Sequence, residues 1–376
     1  MSSWLTAGHQ VSLALRNLRW AQMVYPEPAV TLCQAPFQHG VPVTHPRVTR
    51  LSQILDNTGF QDADALLARC RAWRALYDSL DPDLVLFDHA PTALLAARGR
   101  SFATATLSNG FFIPPHTRRW PDLAGQAGLA DGRDVDHPEV PPLLARANAV
   151  AQALGAPTLD TIADLYRVDQ EWLRTYPELD PYAGERRAPD YVGTLDRPLA
   201  IETEPRWPAG GGDKVFAYLS EPTSPPQLLG ALARTGCSVL AYAPPLDRRR
   251  IRAVPDNLRL LDRPVHFAAI EQHAAAVICN GTHGTLASAL CAGKPLLSVP
   301  FTLEQSVHAA RVAELGAGLT VSGRAPADAT GALRRLVTEP RFTEAAHRFA
   351  QRYRGWGDST TTVLERADRL LCARSG

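Results

Sequence analysis

The second half of the chain carries short, largely apolar runs at 214–219 (KVFAYL), 238–242, 258–261, 275–279 and 296–299. Each is too short for a helix and has no polar face, as expected of a strand covered on both sides in a parallel sheet. A helical pattern at 227–234 lies between the first two runs. The first half alternates in the same way, with strands expected at 10–15, 30–33, 84–87 and 102–107 and a long helix at 62–80. Strands alternating with helices predict an α/β fold: two Rossmann-like, doubly wound parallel-sheet domains. The stretch 196–213 is rich in Pro and Gly and has no period, so it reads as a linker. The expected division is therefore 1–195, the linker 196–213, a second domain at 214–360 and a closing helix within 361–376.

The run at 275–279 ends at Asn280-Gly281-Thr282, and a helical pattern opens near His283. That helix should stop at Gly293-Lys294-Pro295, with Gly in the left-handed cap and Pro where the helix cannot continue. The strand at 296–299 leads through Pro300 to another helix opening around Glu304-Gln305. Two strand–loop–helix units in succession place two helix N-termini beyond the carboxyl ends of parallel strands. Free backbone N–H groups and the helix dipole favour an anion there. Gly281, Gly284, Thr282 and Thr285 would allow close backbone approach and add hydroxyl donors. Glu304 and Gln305 offer a carboxylate and an amide suited to sugar hydroxyls. The alternative is an ordinary strand–helix turn in which Gly serves only tightness.

Composition narrows the classes further. With 376 residues, 45% hydrophobic and 20% charged, the chain is long enough for two or three domains of ordinary globular make-up. A net charge of +1 gives no basis for nucleic acid as a partner. No apolar run approaches the ~18 residues needed to span a bilayer, and the N-terminus has no signal-peptide pattern, so a cytoplasmic location is expected. The six cysteines are scattered and read as reduced thiols. Cys279, His283 and Cys291 match no common zinc spacing, so neither a metal nor a resident cofactor is expected.

The stretch 280–318 resembles the donor-binding motif of GT-B glycosyltransferases, of the UDP-glycosyltransferase and macrolide-transferase group. The family's H-G-G-x-G-T corresponds to Asn280-Gly281-Thr282-His283-Gly284-Thr285, and its A-L-x-x-G-x-P to 289–295. Its D/E-Q corresponds to Glu304-Gln305 and its closing G-x-G to Gly316-Ala317-Gly318. Asn280 replaces the family's His and Thr282 a Gly. Asn280 keeps a neutral donor for the diphosphate and loses a cationic one, which implies weakened diphosphate binding. The resemblance places Ser220 near the donor phosphate and Val265 where backbone groups hold the nucleobase; a plain turn is the other reading of Pro264-Val265. It implies that the closing helix returns to the first domain. It also implies that the loop at 108–115, with Phe111, Phe112 and His116, lines the acceptor pocket; a core-packing aromatic cluster is the alternative.

The activity that the resemblance implies is inverting transfer of a hexose from a UDP- or dTDP-sugar to a small-molecule or lipid-like acceptor. In the family a His takes the acceptor proton and an Asp orients that His. Asp88, just after the run at 84–87, matches the orienting Asp; the alternative is a helix N-cap. The chain opens on residues resembling the end of the family's first helix and its second G-H. The first strand and its catalytic His are thus expected to be lacking. His9 lies at the amino end of the sheet and is no substitute, and His89 points differently from its neighbour Asp88. Two further readings follow: a nucleotide-sugar-binding protein with impaired turnover, and a nucleotide-sugar epimerase on the same scaffold. The Glu304-Gln305 signature disfavours the epimerase.

Overall fold

The computed structural model describes all residues except 1, 20, 22–26, 38, 39, 41, 42, 118, 119, 121, 130–137, 195–205, 209–211, 221–225, 245–253, 266, 323–327, 357, 358 and 376. Most of the stretch read as a linker, 196–213, lies outside the described residues.

The first half contains β1 (Val11–Leu15), β2 (Val30–Gln34), β3 (Leu84–Phe87), β4 (Ala103–Ser108), β5 (Gln170–Leu173) and β6 (Asp190–Tyr191). All pairings are parallel, but among the described residues they form two sheets, β1-β2 and β3-β4-β5-β6. The helix Ala63–Leu80 is capped by Asp62, whose side chain accepts from the Ala65 amide. It packs Leu66, Cys70, Trp73 and Tyr77 against the helices Pro91–Ala97 and Val140–Ala153.

The second half is one parallel sheet of β7 (Lys214–Tyr218), β8 (Ser238–Tyr242), β9 (Leu258–Leu261), β10 (Ala276–Cys279), β11 (Leu296–Ser298) and β12 (Gly318–Thr320). Its order is β12-β11-β10-β7-β8-β9. Neighbouring side chains point to opposite faces, and both faces are covered. Val215 and Ala217 join the helices Pro226–Ala233 and Ala329–Thr338 in one core layer. Phe216 and Val277 join the helices His283–Cys291 and Pro340–Tyr353 in the other. The expected boundaries hold here to within a residue or so at each strand.

Among the described residues, three apolar clusters join the halves. Tyr176 and Leu179, which follow β5, are buried in the core of the second half, and Glu178 accepts from Arg352 and Tyr353. Phe111 and Tyr182 pack on Leu303 and Val307 of the helix Leu303–Glu314. Finally, the helix Ser359–Ser375 returns to the first half, burying Val363 and Ala367 against Ala105, Trp172 and Val192. Arg366 pairs with Asp190 at 2.6 Å, and the His9 ring hydrogen-bonds Asp368 at 3.0 Å.

Candidate donor and acceptor site

The sheet of the second half reverses its winding between β7 and β10. From β7 the chain proceeds to β8 and β9 on one side, then crosses to β10, β11 and β12 on the other. In open parallel sheets such a switch point opens a crevice beyond the carboxyl ends of the strands. Here its walls are the residues after β7, including the half-buried Ser220, and the turn Asn280-Gly281-Thr282 after β10.

The helix His283–Cys291 begins at this crevice. Its first intrahelical bond runs from the Leu286 amide to the Thr282 carbonyl at 3.1 Å. The amides of His283, Gly284 and Thr285 therefore precede the helical ladder, and Thr282 supplies no side-chain cap. Gly284 is exposed, and the hydroxyls of Thr282 and Thr285 lie 3.1 Å apart at the same end. Exposed amides, two hydroxyls and a helix dipole suit an oxyanion such as a diphosphate.

The second strand–helix unit stands against the first. Gly281 has φ +86°, and a Cβ there would lie 2.7 Å from the Gln305 carbonyl oxygen. Only glycine permits that approach. Gln305 itself is buried and closes a capping box. Its Oε1 accepts from the amides of Phe301 (2.8 Å) and Thr302 (3.3 Å), while Thr302 Oγ1 accepts from the Gln305 amide. Its side-chain oxygen thus shapes the helix N-terminus instead of facing a sugar. Asn280 differs from expectation in the same way. It is 1% exposed, and Nδ2 donates to the Val299 carbonyl at 3.1 Å, clasping the ends of β10 and β11. Val265 is half-buried and packs against the core layer that holds Phe216 and Val277.

Across the crevice stand residues that follow β3, β4 and β5. Asp88 follows β3, its side chain is 58% exposed, and its Oδ2 lies 3.5 Å from Arg174 Nη2. Arg174 follows β5 and is close enough to His283 to disfavour its protonation. Thr175 Oγ1 and His283 Nε2 hydrogen-bond at 2.6 Å. Asp88 is therefore one side chain removed from the first turn of the helix His283–Cys291. Asn109, after β4, donates from Nδ2 to Glu304 Oε1 at 2.6 Å. Glu304 remains partly exposed at the mouth of the second helix.

The three residues expected to line an acceptor pocket separate. Phe112 is half-buried, its ring 3.8 Å from that of His89. Phe111 is fully buried and packs on Leu303 and Val307, so it belongs to the contact between the halves. His116 is exposed and hydrogen-bonds Glu171 at the start of β5. Arg174, Thr175 and Asn109 were not singled out by sequence. Their one available signal is position, immediately beyond the carboxyl ends of parallel strands.

His89, His283 and His308 are all held neutral by burial. It pushes the His89 and His308 imidazoles down to about 4 and takes His283 well below the ordinary range. The rings of His283 and His308 lie 5.0 Å apart. Around His308, Asp180 opposes the shift and Arg311 adds to it; around His283, Arg174 adds to it. An unfolded histidine titrates near 6.5, so below that pH the unfolded chain binds protons that the folded chain refuses. The stabilisation from these rings is complete above about pH 6.5 and is lost progressively as the pH falls toward 4. For His89 and His308 the full loss amounts to about 3 kcal/mol each. The urea midpoint should fall over this window with a net uptake of up to three protons on unfolding. A midpoint that stays level between pH 6.5 and 4.5 would contradict the burial of these rings.

Comparison with known proteins decides the scaffold. Residues 226–355 match the C-terminal domain of the erythromycin biosynthesis protein CIII-like family. The chain superposes on the glycosyltransferase of kitacinnamycin with a TM-score of 0.75 at 19% identity, covering 98% of this chain and 93% of the other. The chain has the GT-B fold. The same fold is shared with glycosyltransferase VinC, solved in complex with DTDP: TM-score 0.71, 21% identity, 98% and 94% coverage. An erythronolide mycarosyltransferase of Saccharopolyspora erythraea is 28% identical over 302 residues. That alignment takes in 73% of this chain and 64% of the mycarosyltransferase. In this GT-B fold the turn Asn280-Gly281-Thr282 lies within the EryCIII-like stretch 226–355, and Asp88, Asn109 and Arg174 face the crevice from the other half. Among the described residues, no helix is long and apolar enough to cross a membrane, and no group of three or more His, Cys, Asp or Glu could hold a metal ion.

Proposed function

We propose that the chain transfers a hexose, with inversion, from a nucleoside diphosphate sugar to a small-molecule or lipid-like acceptor. One observation carries this reading. The exposed helix N-terminus at Thr282-Gly284-Thr285 opens at the switch point of the second half, directly opposite Asp88 and Arg174 of the first. A diphosphate on the helix N-terminus directs the anomeric carbon into the crevice, where an acceptor hydroxyl approaches from the Asp88 side. The new C–O bond forms as the bond to the diphosphate breaks. The leaving electron pair stays with the diphosphate, whose growing charge is stabilised by the amides and the helix dipole. The acceptor proton departs toward the Asp88 carboxylate, which is accessible to solvent and anchored by Arg174. Because amides and hydroxyls do the work at the diphosphate, no divalent ion is called for. The DTDP bound by VinC and the sugar transfer named for the mycarosyltransferase support the same reading.

Donor binding without turnover is favoured by a different observation: among the described residues, Asp88 pairs with Arg174 and not with a histidine. Calorimetry with UDP and dTDP in EDTA, followed by release of the diphosphate from UDP- and dTDP-hexoses, distinguishes the two. Binding in EDTA together with release supports transfer. Binding without release, with or without acceptor alcohols, supports the second reading, and absence of binding by either diphosphate rejects both.

A further inference from the structure

The loop after β4 is braced more firmly than a loop that merely covers a core. Gly110 has φ +85°, and a Cβ there would lie 2.9 Å from Asp180 Oδ1. Asp180 and Arg186 form a buried ion pair at 2.6 Å, and Arg186 also donates to the carbonyls of Gly110 (3.1 Å) and Ile113 (2.7 Å). Tyr191 donates to Asp180 at 2.9 Å. This scaffold fixes one polar side chain, Asn109, which is 8% exposed.

The orientation of the Asn109 amide is settled by chemistry. Its contact with Glu304 must be through Nδ2, since a carboxylate only accepts. Nδ2 donates to Glu304 Oε1 at 2.6 Å, which leaves Oδ1 buried and without a hydrogen-bond partner among the described residues. A buried amide oxygen is rarely left unpaired unless a ligand or water completes it. Through Nδ2 the amide is held against Glu304, in the first turn of the helix Leu303–Glu314.

We infer that Asn109 is a specificity-determining residue that reads a hydroxyl of the transferred sugar. The inference rests on the donor-site reading above. Oδ1 and the Glu304 carboxylate are both acceptors on opposite walls of the crevice, so together they call for a sugar that donates two hydroxyls. A deoxygenated position would leave Oδ1 unpaired, and sites built to hydrogen-bond a hydroxyl reject analogues that lack it. Because Asn109 belongs to the first half and Glu304 to the second, the sugar is read only when the halves meet.

The test compares the affinities of nucleoside diphosphate alone, the intact hexose donor and its deoxyhexose counterpart. Asn109→Ala should leave diphosphate affinity unchanged, weaken the hexose donor roughly 10- to 100-fold, and erase discrimination against the deoxyhexose donor. Asn109→Asp supplies a readout that a purely structural role would not move. Two carboxylates this close share one proton, which replaces the amide donor. Hexose-donor affinity of this variant, taken relative to wild type at each pH, should therefore rise as the pH falls. If Asn109→Ala binds diphosphate normally and keeps the wild-type ratio of hexose to deoxyhexose affinity, the inference fails alone. If Asn109→Asp shows no pH dependence relative to wild type, it also fails. If wild type binds neither UDP nor dTDP, the donor site and this inference fall together.

Discussion

Asp88→Ala should lower kcat by about 10²- to 10⁴-fold, the usual contribution of a positioned proton acceptor, and change KM for the donor less than 3-fold or so. The split follows from position. Asp88 stands on the acceptor wall, tied only to Arg174 among the ion pairs of the described residues, while the diphosphate is held by the opposite helix. Its side chain is more exposed than buried, so stability should move by no more than about 0.5 kcal/mol. Asp88→Asn separates charge from shape: it keeps a hydrogen-bonding group of the same size and removes the proton acceptor. A variant set in which KM rises and kcat holds would place Asp88 in ground-state binding instead.

The second large effect is at Gly281. Gly281→Ala should destabilise the protein by about 3 kcal/mol, combining a positive φ with overpacking. The new Cβ meets the Gln305 backbone carbonyl at 2.7 Å, and backbone cannot move aside as a flexible side chain would. Displacing Gln305 disturbs the capping box of the helix Leu303–Glu314, so diphosphate-sugar affinity should fall with stability. Gly284→Ala gives the contrast. Nothing lies within 4 Å of its Cβ position, and Ala favours the helix. Stability should hold or rise slightly while diphosphate affinity falls, because the methyl stands where the ligand approaches. Equal affinity losses with equal stability losses in both variants would remove Gly284 from the ligand surface.

These two glycines show what was legible from residues alone. A Gly between a buried strand and a helix announces a tight turn, and the apolar runs of the second half announce strands covered on both faces. β10, all of it buried, is the clearest case. The strands β5 (QEWL) and β6 (DY) carry no such signal, being short and partly polar, with β5 dependent on β4 and β6 on β5 for register. Side-chain roles were less legible than positions. Asn280 and Gln305 stand where the donor motif puts them, yet Val299, Phe301 and Thr302 claim their hydrogen bonds. His116 finds Glu171 and Asn109 finds Glu304 across 55 and 195 residues of sequence, distances at which local pattern says nothing. Phe111 and Phe112 are adjacent and equally aromatic. Burial separates them: Phe111 is fully buried with Leu303 and Val307, while Phe112 packs half-buried against the same cluster.

The return of the helix Ser359–Ser375 to the first half has a mechanical consequence. The polypeptide crosses between the halves twice, once after Gly193 and once before Ser359. The two crossings touch: Gly193 faces Trp356 and the Ser359 hydroxyl, with Tyr176 beside them. Gly193 and Gly355 both adopt positive φ, +69° and +85°, and these terminal positions can absorb changes in backbone angle. Two crossings held side by side tie the crevice walls together at one edge, where Tyr176 packs on Phe349, Tyr353 and Trp356. The walls cannot part at that edge without giving up this aromatic packing, so the chain crossings and the bonds Asn109–Glu304 and Thr175–His283 fasten the crevice at separate places.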